Sequence, residues 1–376
     1  MPAQHPIATR PGYRVPPERA SRYRGCLLAG AAGDALGAAV EFLSLAQIRQ
    51  QFGAQGIRDF APAYGRIGAI TDDTQMTLFT ADGILRAQVR GALRGVASTV
   101  GMVALAYQCW LKTQGLDGEA PASASPGWLP GHRELFARRA PGRTCIEALG
   151  TSAARSGLAA GNHSKGCGGV MRVAPVGLYT AAIGAGAEAA FRLGCDLAAI
   201  THGHPTGQLA AGALAVIVQR LSLGAALEPA LQIAGNLLRT REHHEETLAA
   251  MHRAETLAAS ATPADRALAS LGEGWVAEEA LAIAVFCALR TRRLEEAVCM
   301  AVNISGDSDS TGSITGNLMG AWLGVHAIPD RWLRELELRG AIEEMADDLA
   351  TVGDWNLSES GETGAEAYWH GRYPDY

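Results

Sequence analysis

Apolar and small residues recur along most of this chain at spacings of three and four positions, which is the period of an α-helix. The pattern predicts helices over residues 22–40, 73–90, 98–112, 144–159, 185–200, 206–220, 227–240, 277–289, 294–303 and 313–325. No stretch alternates polar and apolar residues over a length that would support a sheet. The predicted fold class is therefore all-α, and no repeat of fixed length indicates a solenoid.

The chain is expected to form one large domain. Residues 1–20 are rich in proline and lack the apolar segment of a signal peptide, so we expect a flexible N-terminal tail followed by a helical domain over 21–376. The polar segment 114–132 is expected to be a surface loop, because the predicted helices on both sides look equally core-like. No membrane span is expected, since the longest apolar runs are short or interrupted by Asp34.

Composition narrows the function classes. Hydrophobic residues make up 48% of the chain and charged residues 19%, which is typical of a globular protein. The net charge is −6 without a dense basic run, so nucleic acid is not an expected partner. The seven cysteines show neither a CxxC pair nor zinc-site spacing, which indicates free thiols in a reducing cytoplasm. We expect a cytoplasmic monomer.

Small residues form a stripe along two of the predicted helices. The first stripe is Gly25, Ala29, Gly33 and Gly37, and the second is Gly312, Gly316, Gly320 and Gly324. A glycine inside a helix costs about 0.5–1 kcal/mol relative to alanine, and close approach of a neighbouring helix would offset that cost. We predict that tight packing at the stripes fixes the carboxylates at their ends, including Glu41.

Two acidic clusters lie at the starts of predicted helices, Thr71-Asp72-Asp73-Thr74 and Asp307-Ser308-Asp309-Ser310. Threonine and aspartate also cap helices, so capping remains the alternative for each cluster alone. The second cluster begins like a calcium loop, but the twelfth position is Leu318 rather than an acid. Mg²⁺ prefers such oxygen ligands, and two ions about 3.5–4 Å apart would use both clusters if the fold brings them together.

Two further segments could bind an anion. The stretch NHSKGCGGVMRVAPVGL, residues 162–178, has three glycines within four positions, and their amides could cradle a phosphate; a plain turn is the alternative. The stretch THGHPTG, residues 201–207, places His202 and His204 at a helix junction. Either histidine could contact a substrate, and packing or capping is the alternative.

Four motifs carry a family resemblance. They are Gly33-Asp34-x-x-Gly37-x-x-x-Glu41, Thr71-Asp72-Asp73-Thr74-Gln75-Met76, Gly166-x-Gly168-Gly169-x-Met171-Arg172 and Gly306-Asp307-Ser308-Asp309-Ser310. In this order, over residues 22–325, they resemble the ADP-ribosylglycohydrolases, which include the dinitrogenase reductase-activating glycohydrolases of bacteria and the ADP-ribosylhydrolases of animals. The resemblance implies a compact, mostly orthogonal helix bundle with a dinuclear Mg²⁺ or Mn²⁺ centre in a cleft. It also implies hydrolysis of the bond between ADP-ribose and an acceptor.

The resemblance also implies roles for individual residues. The implied metal ligands are Thr71, Asp72, Asp73, Asp307, Asp309 and Ser310. The implied catalytic residues are Glu41, as an acid/base or a gate, with Asp73 and Asp307. The implied substrate-binding residues are Ser164, Lys165, Gly166, Cys167, Gly168, Gly169 and His202. Three positions depart from the family: Ser310 stands where many relatives have threonine, with Thr311 as a possible substitute, and Lys165 and Cys167 stand in a loop where relatives often have an aromatic residue.

The leading hypothesis is a metal-dependent hydrolase of ADP-ribosylated protein side chains, such as arginine, or of a small ADP-ribosyl substrate. One alternative is a non-catalytic ADP-ribose-binding or structural protein on the same fold. Another is a metal-dependent phosphohydrolase, because its site would be equally rich in oxygen ligands. The sequence leaves open whether the acceptor is arginine, serine, a nucleotide or a small molecule, and whether the preferred ion is Mg²⁺ or Mn²⁺.

Overall fold

The computed structural model describes residues 11–116, 127–151, 157–357 and 364–375. Within these ranges the backbone forms helices and two isolated β-bridges, and it contains no strand. The predicted all-α fold class is therefore confirmed.

The described α-helices are numbered here in chain order. They are α1 (Pro17–Gly37), α2 (Leu45–Phe52), α3 (Asp72–Arg94), α4 (Thr99–Thr113), α5 (Arg143–Leu149), α6 (Ala174–Ala182), α7 (Ala187–Ala199), α8 (Pro205–Ser222), α9 (Leu227–Leu238), α10 (Glu245–Ala259), α11 (Ala264–Leu271), α12 (Ala277–Arg290), α13 (Leu294–Val302), α14 (Ser308–Leu323), α15 (Asp330–Glu335), α16 (Arg339–Thr351) and α17 (Gly364–Arg372). None of them is long and apolar enough to cross a membrane.

Helices α1 and α14 pack side by side through their small-residue stripes. The backbone of α14 lies so close that a Cβ atom on Gly25 or Gly33 would come within 3.0 Å of the carbonyl oxygen of Gly320 or Gly312, respectively. The order of these pairs shows that the two helices are antiparallel. Both helices are buried along this contact. The predicted tight packing is confirmed, and it brings the end of α1 beside the start of α14.

Several helix boundaries differ from the prediction. Helix α1 begins at Pro17, so the last residues of the predicted tail 1–20 are helical, whereas residues 1–10 lie outside the described ranges. Helix α5 ends at Leu149, ten residues before the predicted end at 159, and residues 152–156 are not described. Helix α14 begins at Ser308 rather than 313, because the acidic cluster forms its first turn. Most of the predicted loop 114–132 is also outside the described ranges.

The sequence pattern missed seven of the described helices, which are α2, α6, α10, α11, α15, α16 and α17. Helix α6 illustrates the reason. Its segment contains Pro175 and Gly177, which usually interrupt a helix. Proline is nevertheless compatible with the first helical turn, where its missing N–H would have no partner. Gly177 packs against the backbone of α8 near Ala215, so the absence of a side chain there permits a close helix contact. The first-turn position explains Pro175, and tertiary packing explains Gly177.

The C-terminal segment packs against the bundle through aromatic and charged side chains. The rings of Trp355 and Trp369 stack with centroids 3.7 Å apart, and Tyr373 lies beside both. The guanidinium of Arg372 lies 3.7 Å from the ring centroid of Trp128 and donates to Asp348. These contacts tie α17 to α16 and to the segment that precedes α5.

Candidate active site

The antiparallel pair of glycine-rich helices brings three carboxylates together. Glu41 follows the end of α1, Asp307 immediately precedes α14, and Asp309 lies in its first turn. One carboxylate oxygen from each of these residues lies within 4.8 Å of the other two. The three side chains are at least 94% buried, so their charges are poorly screened by water.

The acidic start of α3 joins this group. The Ser310 hydroxyl donates to Oδ2 of Asp73 over 3.3 Å, although the two residues are 237 positions apart. Asp72 and Asp73 line the same cleft as Glu41 and Asp307. The fold therefore unites the two acidic clusters, which the sequence alone left separate.

Asp34 holds the start of α3 in place. The sequence alone did not indicate this role. Its carboxylate accepts hydrogen bonds from the backbone N–H groups and the hydroxyls of both Thr71 and Thr74. Asp34 is fully buried, and it fixes the backbone that carries Asp72 and Asp73. The signal in the sequence was that Asp34 belongs to the Gly33-Asp34 motif. The local pattern of α1 does not predict that its carboxylate contacts Thr71 and Thr74.

A second buried carboxylate holds the segment before α3, and nothing in the sequence pointed to it. Glu337 accepts from the backbone N–H of Ile70 and pairs with the Arg139 guanidinium. Arg139 also donates to the carbonyl oxygen of Ile70 over 2.7 Å. Together these bonds hold the chain that leads into Thr71.

Burial and mutual repulsion disfavour the charged forms of these acids. Burial, followed by the negative charges of Asp309 and Asp307, raises the pKa of Glu41 to about 10. Burial and Asp309 hold the pKa of Asp72 and that of Asp73 well above their usual range. The pKa of Asp307 is raised for the same two reasons. A nearby positive charge would lower these pKa values, so the upward shifts indicate that no described cation compensates the carboxylates.

Two buried oxygens of the group have no hydrogen-bond partner among the described residues. They are Oε2 of Glu41 and Oδ1 of Asp73. The Arg143 side chain also lines the cleft, but it is 89% exposed and pairs with Glu147. Because a buried carboxylate oxygen without a donor is costly, these orphaned oxygens fit bound cations.

The glycine-rich turn forms the opposite wall of the cleft. Gly166 pairs with Val276 in an isolated bridge, and the Cys167 amide donates to the carbonyl oxygen of Trp275 over 3.1 Å. The Gly166 amide points to the Ser164 hydroxyl at 3.3 Å. Two amides of the expected phosphate nest are thus directed to protein acceptors. The amides of Gly168 and Gly169 follow them in the turn.

His202 lies against this turn and is bonded to Thr201 on its other side. Arg172 donates to the Thr201 hydroxyl oxygen over 2.7 Å, and that hydroxyl lies 2.8 Å from Nδ1 of His202. The Thr201 hydroxyl also lies 3.5 Å from the carbonyl oxygen of Ala198, so it can either donate to Nδ1 or accept from it. Burial and the Arg172 charge lower the pKa of His202 to about 3. A Cβ on Gly168 would come 3.5 Å from Nε2, so the ring packs on the turn.

Several other candidates do not line the cleft, namely Thr71, Ser164, Lys165, Gly169 and His204. The Lys165 ammonium pairs with Glu246 and Glu278, outside the cleft lining. His204 caps α8, since its Nδ1 accepts from the Thr206 amide over 3.2 Å. Ser164 lies beside the cleft, with its hydroxyl 3.0 Å from that of Thr144.

An aromatic pair lies at the rim. The rings of Phe42 and Trp275 stack with centroids 6.3 Å apart, and their side chains are exposed. Trp275 also lines the cleft, and Phe42 directly follows Glu41. A large exposed aromatic surface beside buried acids is typical of a ligand-binding site rather than of packing.

Comparison with known proteins identifies the family. The model of the ADP-ribosylglycohydrolase family matches residues 15–358. An uncharacterised protein of Archaeoglobus fulgidus is 29% identical over 337 residues, covering 87% of this chain and 95% of its own. The ADP-ribosyl-[dinitrogen reductase] glycohydrolase of Rhodospirillum rubrum is 28% identical over 324 residues, covering 85% of this chain and 91% of its own.

A solved structure agrees with these relatives. It is described as an ADP-ribosylglycohydrolase-related protein complex, is 26% identical, and superposes with a TM-score of 0.64 over 89% of this chain and 99% of its own. The family match also establishes the reaction class, which is the hydrolysis of a glycosidic bond to ADP-ribose. This chain belongs to the ADP-ribosylglycohydrolase family.

Proposed function

We propose that this chain is a metal-dependent hydrolase that releases ADP-ribose from modified arginine side chains of proteins. The observation that carries the proposal is the convergence of Glu41, Asp307 and Asp309 with the start of α3, where buried oxygens are left without donors. The relative from Rhodospirillum rubrum acts on an ADP-ribosylated protein, as its name states, which supports a protein substrate.

The cluster fits two Mg²⁺ or Mn²⁺ ions, because hard divalent cations bind carboxylate and hydroxyl oxygens. The residues that would hold them are Thr71, Asp72, Asp73, Asp307, Asp309 and Ser310. When bound, such ions supply Lewis-acid stabilisation and a water molecule of lowered pKa. The unpartnered Oδ1 of Asp73 supports this assignment.

Several side chains would act on the substrate itself. Breaking the bond at the anomeric carbon develops positive charge on the ribose, which the carboxylates of Asp73 and Asp307 would stabilise. Glu41 lines the cleft with an unpartnered Oε2, and this atom would hold or transfer a proton. Glu41 is thus the acid/base candidate of the site.

The opposite wall suits the diphosphate. His202 presents Nε2 beside the glycine turn, and a neutral imidazole with its proton on Nε2 would donate one hydrogen bond to a phosphate oxygen. The amides of Gly168 and Gly169 would supply further donors. Ser164 and Cys167 would form part of this wall. Lys165 lies on its outer side, where its ion pairs with Glu246 and Glu278 would stabilise the turn. Diphosphate recognition would therefore rely on neutral donors.

The charge balance of the cleft favours a cationic acceptor. Five buried carboxylates line it, those of Glu41, Asp72, Asp73, Asp307 and Asp309. Acidic side chains outnumber basic ones in this lining, which favours a guanidinium over an anionic acceptor. The exposed faces of Phe42 and Trp275 offer a surface on which a guanidinium can stack.

The test is hydrolysis of ADP-ribosyl-arginine and ADP-ribosyl-serine peptides with Mg²⁺, with Mn²⁺ and with a chelator, followed by chromatography of free ADP-ribose. We expect metal-dependent release from arginine, and a loss of at least about a hundredfold in Asp307→Asn. Asp265→Asn is the matched control, because Asp265 is an exposed partner of Arg49. Full activity in Asp307→Asn, or release of inorganic phosphate instead of ADP-ribose, would overturn the proposal. Faster hydrolysis of the serine peptide would overturn the acceptor assignment alone.

A further inference from the structure

Tyr64 lies at the tip of a tight turn that precedes α3. The backbones of Ala63 and Arg66 exchange two hydrogen bonds of 3.0 Å, which leaves Tyr64 and Gly65 as the central residues. Their φ angles are 50° and 81°, respectively. Positive φ at both central positions is typical of a two-residue hairpin turn, where asparagine, aspartate or glycine usually comes first. A large aromatic residue in that place is an outlier.

The surrounding structure holds this strained turn in place. The Arg66 guanidinium pairs with the buried carboxylate of Glu337 over 2.8 Å. The Glu337 amide donates to the carbonyl oxygen of Gly68 over 3.0 Å. A strained backbone persists where neighbouring contacts fix it, and such residues cluster at functional sites. The strain at Tyr64 therefore favours a functional role of its side chain.

The Tyr64 side chain stands beside the carboxylate group, just outside the lining of the cleft. Its ring centroid lies 6.0 Å from the guanidinium carbon of Arg139, which donates to the carbonyl oxygen of Ile70 immediately before the acidic start of α3. Burial, followed by the negative charges of Glu41 and Asp309, holds the pKa of Tyr64 well above its usual value. The phenol is therefore neutral at pH 7, with its hydroxyl close enough to these carboxylates to be affected by their charge.

The glycine turn and Tyr64 approach different parts of the carboxylate group. Cys167 of the turn contacts Asp307, which is not among the main charges that act on the Tyr64 hydroxyl. If the diphosphate lies along the turn, the acceptor on the far side of the scissile bond extends towards Tyr64. The Tyr64 side chain is 43% exposed, and within the described residues its hydroxyl takes part in no hydrogen bond. That hydroxyl is available to a group that projects from the cleft.

We propose that Tyr64 is a specificity-determining residue that binds the acceptor side of the substrate. Its hydroxyl oxygen accepts a hydrogen bond from the guanidinium of the ADP-ribosylated arginine. The ether oxygen of a serine-linked substrate offers no such donor, so the contact favours arginine. ADP-ribose itself does not reach Tyr64. The inference rests on the proposed function, which supplies the position of the diphosphate and the guanidinium acceptor.

The test measures kcat and KM for ADP-ribosyl-arginine and ADP-ribosyl-serine peptides, and the dissociation constant of free ADP-ribose. Tyr64→Phe keeps the ring over Arg139 and removes only the hydroxyl. We expect it to raise KM for the arginine peptide roughly tenfold, with kcat within about twofold of wild type. KM for the serine peptide and the affinity for ADP-ribose should not change. Tyr179→Phe is the matched control, because its hydroxyl bonds to Gln88 outside the cleft lining, and it should behave as wild type.

Two further variants separate substrate binding from folding. Glycine adopts a positive φ without strain, so Tyr64→Gly should unfold at a higher temperature than Tyr64→Ala. Both variants should nevertheless raise KM for the arginine peptide at least as much as Tyr64→Phe does. A wild-type KM in Tyr64→Phe, or an equal loss of affinity for free ADP-ribose, would overturn the role of Tyr64.

A different outcome identifies a failure of the proposed function. If the wild-type enzyme hydrolysed only the serine peptide, the arginine acceptor would be wrong. A raised KM for the serine peptide in Tyr64→Ala would then still support the acceptor-side contact, whereas an unchanged KM would overturn that contact as well.

Discussion

Gly33 of α1 faces Gly312 of α14 so closely that neither position has room for a side chain. A Cβ on Gly33 would come within 3.0 Å of the Gly312 carbonyl oxygen, and a Cβ on Gly312 would overlap the Gly33 carbonyl in the same way. The contact is between backbones, which cannot move aside as a flexible side chain can. The closeness of the two helices places Glu41 beside Asp307 and Asp309.

The first prediction concerns this helix contact. Gly33→Ala should lower the free energy of unfolding by about 1–3 kcal/mol, because the added methyl forces α1 and α14 apart. It should also weaken Mg²⁺ binding, since the carboxylates at the helix ends would separate. Chemical denaturation and calorimetric titration with Mg²⁺ measure the two effects.

Gly91→Ala is the matched control for that substitution. Gly91 lies inside α3, and the nearest atom to an added Cβ is the Ala97 Cβ at an ordinary 3.8 Å. Because alanine is the better helix former, we expect this variant to be as stable as wild type or more stable by up to about 1 kcal/mol. If Gly33→Ala behaved like Gly91→Ala, the close helix contact would not be important for the site.

The second prediction tests Asp34 as a positioning residue. Asp34→Asn replaces an acceptor oxygen with an amide that faces the donors of Thr71 and Thr74. We expect a loss of about 1–3 kcal/mol in unfolding free energy, because those buried donors lose a partner. Metal affinity should fall as well, since Thr71 leads into Asp72 and Asp73. Asp34→Asn with wild-type metal affinity and reduced stability would indicate a purely structural role.

The third prediction concerns pH and His202. The pKa of His202 is about 3 in the folded protein, owing to burial and Arg172, whereas an unfolded histidine has a pKa of about 6.5. Between these values the unfolded chain binds the extra proton, so stability rises with pH and is lost as pH falls below about 6.5. The contribution reaches about 1.4 kcal/mol per pH unit.

His202→Asn removes this titration and isolates its contribution. Urea unfolding of wild type and variant should give different slopes of stability against pH between about 4 and 6.5, and parallel curves above about 7.5. The wild-type curve should be the steeper one at acid pH. Parallel curves over the whole range would show that His202 is already protonated in the folded state.

The fourth prediction tests the position of Lys165. Lys165→Met removes the cation between Glu246 and the largely buried Glu278, so we expect a loss of about 1–3 kcal/mol in stability. The KM for an ADP-ribosyl substrate should stay within about twofold of wild type, because the ammonium does not contact the cleft. Unfolding and steady-state kinetics provide the two values.

Lys112→Met is the control for the loss of a lysine, since Lys112 is exposed at the end of α4. It should change neither stability nor KM. A rise of tenfold or more in KM for Lys165→Met, with stability unchanged, would show that the ammonium reaches the diphosphate after all.

The sequence alone determined the features that depend on local spacing. Residues 3.6 positions apart share a helix face, so the small-residue stripes of Gly25–Gly37 and Gly312–Gly324 indicated both the helices and their close packing. Each acidic cluster could be recognised as a candidate metal site from its residue types, because hard cations prefer oxygen ligands. The family motifs supplied the expected reaction, which the family match confirmed.

Only the tertiary structure decided the contacts between distant segments. In the folded chain Ser310 donates to Asp73, and the Thr71 hydroxyl donates to Asp34. Lys165 pairs with Glu278, and the Cys167 sulfur contacts Asp307. Local sequence patterns do not predict these contacts, because each contact depends on how the helices pack in the folded chain. Hydrogen bonds and ion pairs reach only a few ångströms, so their partners are known only when the packing is known.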